Sequence, residues 1–297
     1  VKILTHPFLP VAAILGSIIS LCIGASFAKT LFPVVGAQGA TVIRLTVAAL
    51  ILTAAWRPWR WKLAPQDAKA IGIYGVVLGV MNLFFYLAIA RIPLGVAIAI
   101  EFTGPLVLAI SASRRALDFV WIAFAVLGLG LLLPLHQYAA QLDPLGVVFA
   151  LGAAVCWALY IITGQRAGNG HGGQATSVGM LVAAAVVFPF GAQEASVALF
   201  DPALLLAGLG VGILSSAIPY SLEMVALKRI PKHTFGILLS LEPAVGALVA
   251  WIILHEMLTP LQWVAIVCII VASVGSTLGL KTRQAQVRLH SESAVSQ

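Results

Sequence analysis

Apolar runs of about 20 residues recur along almost the whole chain, each long enough to cross a hydrocarbon core of roughly 30 Å as an α-helix. Ten fall near 9 to 28, 36 to 56, 68 to 90, 93 to 113, 117 to 135, 144 to 163, 175 to 192, 202 to 224, 231 to 253 and 260 to 280. Breakers separate them: Pro33 and Gly36, Pro58 and Pro65, Pro93, Pro144, the stretch AGNGHGGQ from Ala167 to Gln174, Pro202, Pro231 and Pro260. No connection is long enough for a soluble domain. The pattern predicts an all-α integral membrane protein of ten transmembrane helices. Composition agrees, with 61% of the 297 residues hydrophobic and 9% charged, against roughly 25% charged in a soluble domain.

A net charge of +7 would suit nucleic acid if it lay on one face. It alternates by loop instead. With the N-terminus in the cytoplasm, 14 of the 17 Lys and Arg fall on the cytoplasmic side, Lys29 and Arg91 on the other, and Arg44 inside a run. The acids Asp143, Glu194, Asp201 and Glu256 lie on the side poor in cations. The excess of Lys and Arg sets orientation, so both termini are expected in the cytoplasm, and nucleic-acid binding is excluded. The first run ends in ASFA, which resembles a signal-peptidase site, but the repeat described next requires that run as a retained helix.

Ten spans divide into five and five, and an odd number per half makes the second half enter the membrane from the opposite side. Traces of a repeat survive. ARIPLGVAIAIE, Ala90 to Glu101, resembles KRIPKHTFGILLSLE, Lys228 to Glu242; both open with Arg-Ile-Pro and close with Gly, five residues and Glu. The expected organisation is a first five-helix repeat over 1–138 and an inverted one over 139–297, the latter ending in a short cytoplasmic tail. Inverted repeats usually bind substrate near the midplane, where the halves meet and interrupted helices line the site. Glu101 and Glu242 both lie near mid-span with prolines beside them.

A fixed charge at the bilayer centre costs roughly 2.5 to 3.5 kcal/mol on insertion scales, so it needs a partner, a wet cavity or a proton. Inside the runs stand Glu101, Glu242, Arg44 and, nearer the cytoplasmic end of the eighth, Glu223. With three acids to one base, one glutamate can pair with Arg44 while another binds a substrate ammonium or takes up a proton. A structural role competes: Pro105 cannot donate to the carbonyl of Glu101, nor Pro243 to that of Leu239, and a nearby carboxyl can steady such a defect. Glu223 has a simpler alternative in Lys228 or Arg229. Asn82 and Tyr86, one turn apart, share a helix face that can hydrogen-bond a small solute, as can Tyr220. Trp157 and other lone aromatics read as packing.

No catalytic constellation emerges. His6, His136, His171, His233, His255 and His290 lie in loops, at span ends or in the tails, none with a second ligand at metal spacing, and HEMLT from His255 lacks the second histidine of a zinc helix. GNGHGG follows a membrane helix and lacks the lysine of a phosphate cradle. Cys22, Cys156 and Cys268 are scattered singly and read as small apolar fillers. No metal or cofactor is expected, and no enzyme activity.

LHEMLTPLQWVAIVCIIVASVGS, Leu254 to Ser276, resembles the final loop and helix of EamA-type proteins in the drug/metabolite transporter superfamily, and Arg44 in the second span fits that pattern. MNLFFYLAIARIPLGVAIAIEFTGPLVLAISASRRALDFVW from Met81, CWALYIITGQRAG from Cys156 and LSSAIPYSLEMVALKRIPKHTFGILLSLEPA from Leu214 look like its threonine- and homoserine-exporting branch. The resemblance covers nearly the whole chain. It implies a ten-helix inner-membrane exporter of small hydroxylated amino acids driven by the proton gradient. For such a zwitterion, Glu101 or Glu242 would take the ammonium and the coupling proton, Arg44 or broken-helix N–H groups the carboxylate, and Asn82, Tyr86 or Tyr220 the remainder. Another solute on the same fold, a passive channel and an intramembrane enzyme are the competing readings. The preferred amino acid and the oligomeric state stay open: Gly128, Gly130, Gly275 and Gly279 permit close helix contacts within or between chains.

Overall fold

The computed structural model describes residues 9–61, 64–92, 94–113, 116–132, 142–168, 172–253, 259–272 and 274–275. Among them every long element is helical and no strand occurs. The first two apolar runs, expected as helices joined by a loop, form one 48-residue helix, α1 (Leu9–Trp56), broken only at Gly36 (φ 63°, ψ 175°). That backbone region is open essentially to glycine alone, so Gly36 divides α1 into limbs 9–35 and 37–56 while Pro33 is absorbed within the first. There follow α2 (Pro65–Ile89), α3 (Leu94–Ala112), α4 (Ala116–Leu132), α5 (Pro144–Gly168) and α6 (Gly173–Ser196).

The eighth apolar run is not uniform. It comprises α7 (Pro202–Gly212), a π-helical turn (Ile213–Ala217) and α8 (Ile218–Leu227). Pro219 has no N–H for the carbonyl of Ser215, and the wider turn just before it fits that lost bond. The Ser215 hydroxyl donates back to the carbonyl of Val211 at 2.6 Å. The ninth run splits into α9 (Lys232–Leu239) and α10 (Leu241–Ile253) around Ser240. The break falls where Pro243 leaves the carbonyl of Leu239 without its donor, and Glu242 stands in the first turn of α10. α11 (Pro260–Ala272) ends the described helices.

Five helical segments are long and apolar enough to cross a membrane (Leu31–Arg60, Pro65–Ile89, Pro144–Gly168, Gly173–Ser196 and Pro202–Leu227), and five shorter apolar helices accompany them. Leu50, Val107, Val148, Phe188 and Leu206 point outward. Ser17, Arg44, Asn82, Glu101 and Glu223 are buried. Large apolar side chains outside and ionisable ones inside reverse the arrangement of a water-soluble protein, and fit a bilayer as solvent. The chain is a multi-pass integral membrane protein.

Elements from the first half of the chain pack mainly on elements from the second. α1 runs along α6 and along the α7–π–α8 segment, α2 lies on α5 and α6, and α3 lies on α5 and α9. At the crossing of α1 with the π-helical turn, a Cβ on Gly24 would stand 2.6 Å from the backbone nitrogen of Ser215. Only glycine allows backbones this close. Toward the periphery, Gly128 of α4 faces Ile269 and Ala265, and Gly275 faces Trp121, so these two glycines serve contacts within one chain.

Candidate functional site

The buried polar side chains gather where the two halves of the chain meet. Arg44, on the second limb of α1, is 3% exposed and places its guanidinium carbon 4.6 Å from the ring centroid of Tyr86 on α2. Its Nε and Nη2 find no hydrogen-bond partner, and among the described residues it forms no ion pair. The pairing with a glutamate expected from the sequence is therefore not made. A desolvated cation–π contact is worth about 2 kcal/mol, whereas each orphaned donor of a buried charged group costs at least about 1 to 3 kcal/mol. Two of the three guanidinium nitrogens of Arg44 thus lack acceptors.

Asn82 lies on the same face of α2, one turn from Tyr86. Its amide donates to the carbonyl of Leu78 at 2.8 Å, and its Oδ1 accepts from the Tyr220 hydroxyl of α8 at 3.0 Å. The second bond ties α2 to α8. Tyr220 in turn packs edge-on against Tyr160 of α5 at 5.9 Å between centroids.

Glu223, one turn further along α8, is held by two hydroxyls. Ser17 of α1 donates to Oε1 and Tyr160 to Oε2, each at 2.8 Å. Hydrogen bonds to a charged acceptor contribute about 1.5 to 3 kcal/mol apiece, so two offset an insertion cost of about 2.5 to 3.5 kcal/mol. The alternative partners lie elsewhere: Arg229 Nη1 donates to the carbonyl of Val225 at 3.2 Å, and Lys228 extends over Gly168 and Gly172. Partial burial, then the charge of Arg229, hold the Lys228 ammonium below the usual lysine range.

Glu101 on α3 is buried and Glu242 partly buried. Glu101 lies within electrostatic range of both Arg44 and Glu242, and Glu242 of Glu223. All seven residues singled out in the sequence thus fall in one connected region, Arg44, Tyr86, Asn82, Tyr220 and Glu223 through direct side-chain contacts with the surrounding tyrosines or with one another, the other two through charge. Cys22 donates to the backbone carbonyl of Glu242 at 3.8 Å. Trp157 packs edge-on against Phe102, as expected of a packing residue.

Sequence reasoning missed Ser17 and Tyr160, and with them Tyr74, whose ring is 5.5 Å from that of Tyr160. The available signal was a small polar stripe on the first span: Ser17 and Ser20, three apart, followed by Gly24. In the structure Ser20 donates to the carbonyl of Leu214 at 2.6 Å, at the π-helical turn.

At the end of the bundle opposite Lys228 and Arg229 lies a cleft lined by Gly36, Ala37, Gln38, Leu87, Ala90, Arg91 and Glu194. With its amide turned to donate, Gln38 reaches the carbonyl of Phe190 and Oε1 of Glu194, each at 3.2 Å. Arg91 pairs with Asp143 at 3.2 Å. The N–H of Leu145, then the Arg91 guanidinium, hold the Asp143 carboxyl below the usual aspartate range. Asp201 caps α7 in the same manner through Ala203 N at 2.8 Å.

No group of three or more His, Cys, Asp and Glu capable of holding a metal ion occurs among the described residues. His6, His136, His171, His255, His290, Glu256 and Gly279 lie outside them.

Residues 144–278 match the model of the EamA-like transporter family. The threonine/homoserine exporter RhtA of Escherichia coli (strain K12) is 50% identical over 274 residues, 92% of this chain and 93% of that protein. The protein of the same name from Salmonella typhimurium (strain LT2) is 49% identical over 281 residues, 95% of each. A solved structure described as "Crystal structure of protein" superposes with a TM-score of 0.67 at 20% identity, over 91% of this chain and 96% of that one, and speaks to fold alone.

Proposed function

The chain belongs to the EamA-like transporter family, and from that premise we propose that it exports small amino acids of the threonine and homoserine type across the cell inner membrane, in exchange for protons and by alternating access. Arg44 carries the reading. A buried guanidinium stacked on Tyr86 with two donors unmet is a receptor for a carboxylate, and acids within its electrostatic range can take the ammonium of the same zwitterion. Arg44 binds the substrate carboxylate, Glu101 or Glu242 its ammonium, and Asn82, Tyr86 and Tyr220 its remaining polar groups.

The scaffold in this reading is two inverted five-helix repeats, 1–138 and 139–297, with ten spans and both termini in the cytoplasm. Arg91 and Arg229, the shared Arg-Ile-Pro, stand 138 positions apart, an offset that sets Asn82 opposite Tyr220 and Phe84 opposite Leu222. Reciprocal contacts favour it. A Cβ on Gly16 would meet Leu222, one on Gly152 would meet Phe84, and Asn82 bonds its own counterpart Tyr220, as residues on a pseudo-two-fold axis do.

The test is uptake of labelled threonine, homoserine and other amino acids into inside-out vesicles under an imposed pH gradient. Acidifying the lumen should drive accumulation of threonine and homoserine ahead of the rest. Normal transport across a range of pH by both Glu101→Gln and Glu242→Gln would refute the roles given to those acids.

A further inference from the structure

Of the three acids in the site, Glu223 alone has hydrogen bonds to its carboxyl among the described residues, and both donors are neutral hydroxyls. They come from opposite halves of the chain: Ser17 sits on the first limb of α1 and Tyr160 on α5. Glu223 lies one turn from the end of α8, beside Lys228 and Arg229, and Ser17 and Tyr160 each lie two turns from a helix end that the charge pattern assigns to the cytoplasm. The three side chains join α1, α5 and α8 on that side of Arg44. The groups facing the carboxyl are Ser17 from α1, Tyr160 from α5 with Tyr74 of α2 behind it, Tyr220 on α8 itself and Glu242 from α10. No described Lys or Arg lies within 4.0 Å of it.

We propose that Ser17, Glu223 and Tyr160 form a proton-sensitive clamp: the ionised carboxylate holds α8 against α1 and α5, and protonation of Glu223 releases it. The physics is the difference between two kinds of hydrogen bond. O–H to carboxylate is roughly twice as strong as a neutral pair. A proton on Oε1 or Oε2 removes the charge and also turns one acceptor oxygen into a donor, so the two hydroxyls can no longer both donate to the group as they do now. The assignment rests on the exchange reading above and refines it. Substrate and proton occupy adjoining parts of one chamber, with Arg44 and its neighbours binding the amino acid. Glu223 takes a proton from the outer side, gives it up to the cytoplasm, and opens the cytoplasmic side in between. Ser17 and Tyr160 are positioning residues that act through that carboxyl.

The test uses the purified full chain in liposomes, with two readouts: accumulation of labelled threonine driven by a pH gradient, and threonine–threonine exchange at equal pH on both sides. Wild type should show both, with exchange that varies with pH. Glu223→Gln is fixed in the neutral form, so accumulation should be lost and residual exchange should no longer respond to pH. Ser17→Ala and Tyr160→Phe keep the carboxyl and remove one donor each, and should move the midpoint of the pH profile by about one unit toward alkaline pH, the direction expected when donors favouring the charged form are deleted. These two variants decide the matter if Glu223→Gln fails to fold. Accumulation by Glu223→Gln equal to wild type, or unshifted profiles in both donor variants, overturns the clamp and leaves the exchange reading standing. Wild type that exchanges threonine but never accumulates it under a pH gradient overturns the exchange reading itself, and the clamp with it.

Discussion

Replacing Gly24 with alanine tests the helix crossing on which the site is built. The added Cβ would lie 2.6 Å from the backbone nitrogen of Ser215, 2.7 Å from its Cβ and 2.9 Å from the carbonyl carbon of Leu214, where ordinary contact begins at 3.4 Å. Two of these neighbours are backbone atoms and cannot rotate aside, so α1 must retreat by about 0.8 Å or the π-helical turn must reform. Overpacking of this kind costs about 1 to 3 kcal/mol, offset by up to about 1 kcal/mol because alanine suits a helix better than glycine. The same retreat would stretch the Ser17 to Glu223 bond, now 2.8 Å, to about 3.6 Å, beyond hydrogen-bonding distance. Gly72→Ala is the control: nothing lies within 4 Å of a Cβ there, so only the favourable helix contribution remains. In thermal unfolding of detergent-solubilised protein, Gly24→Ala should melt below Gly72→Ala by several degrees, at about 2 to 4 °C per kcal/mol, and should transport poorly. A Gly24→Ala protein that melts with the control and transports like wild type would refute the reasoning.

Arg44→Lys should not rescue transport lost in Arg44→Gln, because an ammonium supplies neither the fork for a carboxylate nor the flat stack on Tyr86; loss of a charge-assisted bond of about 1.5 to 3 kcal/mol predicts a KM for threonine raised roughly ten- to a hundredfold. Tyr220→Phe removes the donor to Asn82 Oδ1 and should change the preference between threonine and unhydroxylated amino acids by about two- to tenfold, measured by competition for uptake. Asp143 is held below the aspartate value of 3.8 in the folded chain, so the stability it lends is present above that pH and is lost as pH falls through the depressed folded value. Melting of Asp143→Asn against wild type should therefore show a small gap at neutral pH that closes in acid below 3.8, and high salt should shrink the part due to the exposed Arg91 pair.

What the sequence makes legible follows from how local each cause is. The apolar runs appear because helix length must match lipid thickness, and the break after Leu239 appears because Pro243 takes away a donor four residues on. Between the first two runs Pro33 and Gly36 look alike as breakers, yet Pro33 stays within the helix and only the glycine leaves helical backbone, so no loop separates them. Arg44, Asn82, Tyr86, Tyr220 and the three glutamates stand out because polar groups in lipid are costly, and they do gather in one region. Their partners do not stand out. Ser17 and Glu223 are 206 positions apart, and a serine or tyrosine inside a span pays too little in lipid to draw notice. The charge count made a glutamate the natural partner of Arg44, yet a tyrosine ring fills that place.

If the halves are inverted repeats, the same internal offsets predict that the proposed clamp has no twin at the other end of the bundle. At 138 positions, the counterpart of Glu223 is Phe85; at the 136 positions that relate Leu15-Gly16 to Leu151-Gly152, the counterparts of Ser17 and Tyr160 are Ala153 and Gly24. A repeat of identical halves would carry two clamps, one per end, and a proton bound at either would loosen both alike. Here the second set is phenylalanine, alanine and glycine, none with a side-chain donor or acceptor. Gly24 gives up the hydroxyl of its counterpart for a close approach to Ser215, so in place of a clamp α1 meets the π-helical turn through backbone contact and the Ser20 bond to Leu214. At that crossing the contacts are packing and one neutral hydrogen bond, while the carboxylates at that end, Glu194 and Asp143, meet Gln38 and Arg91. The proposed clamp instead bonds a buried carboxyl through hydroxyls from α1 and α5. A proton on Glu223 would therefore favour opening at one end, with no matching carboxyl at the counterpart positions to favour the other, which is the differential interaction that a shift between two states needs.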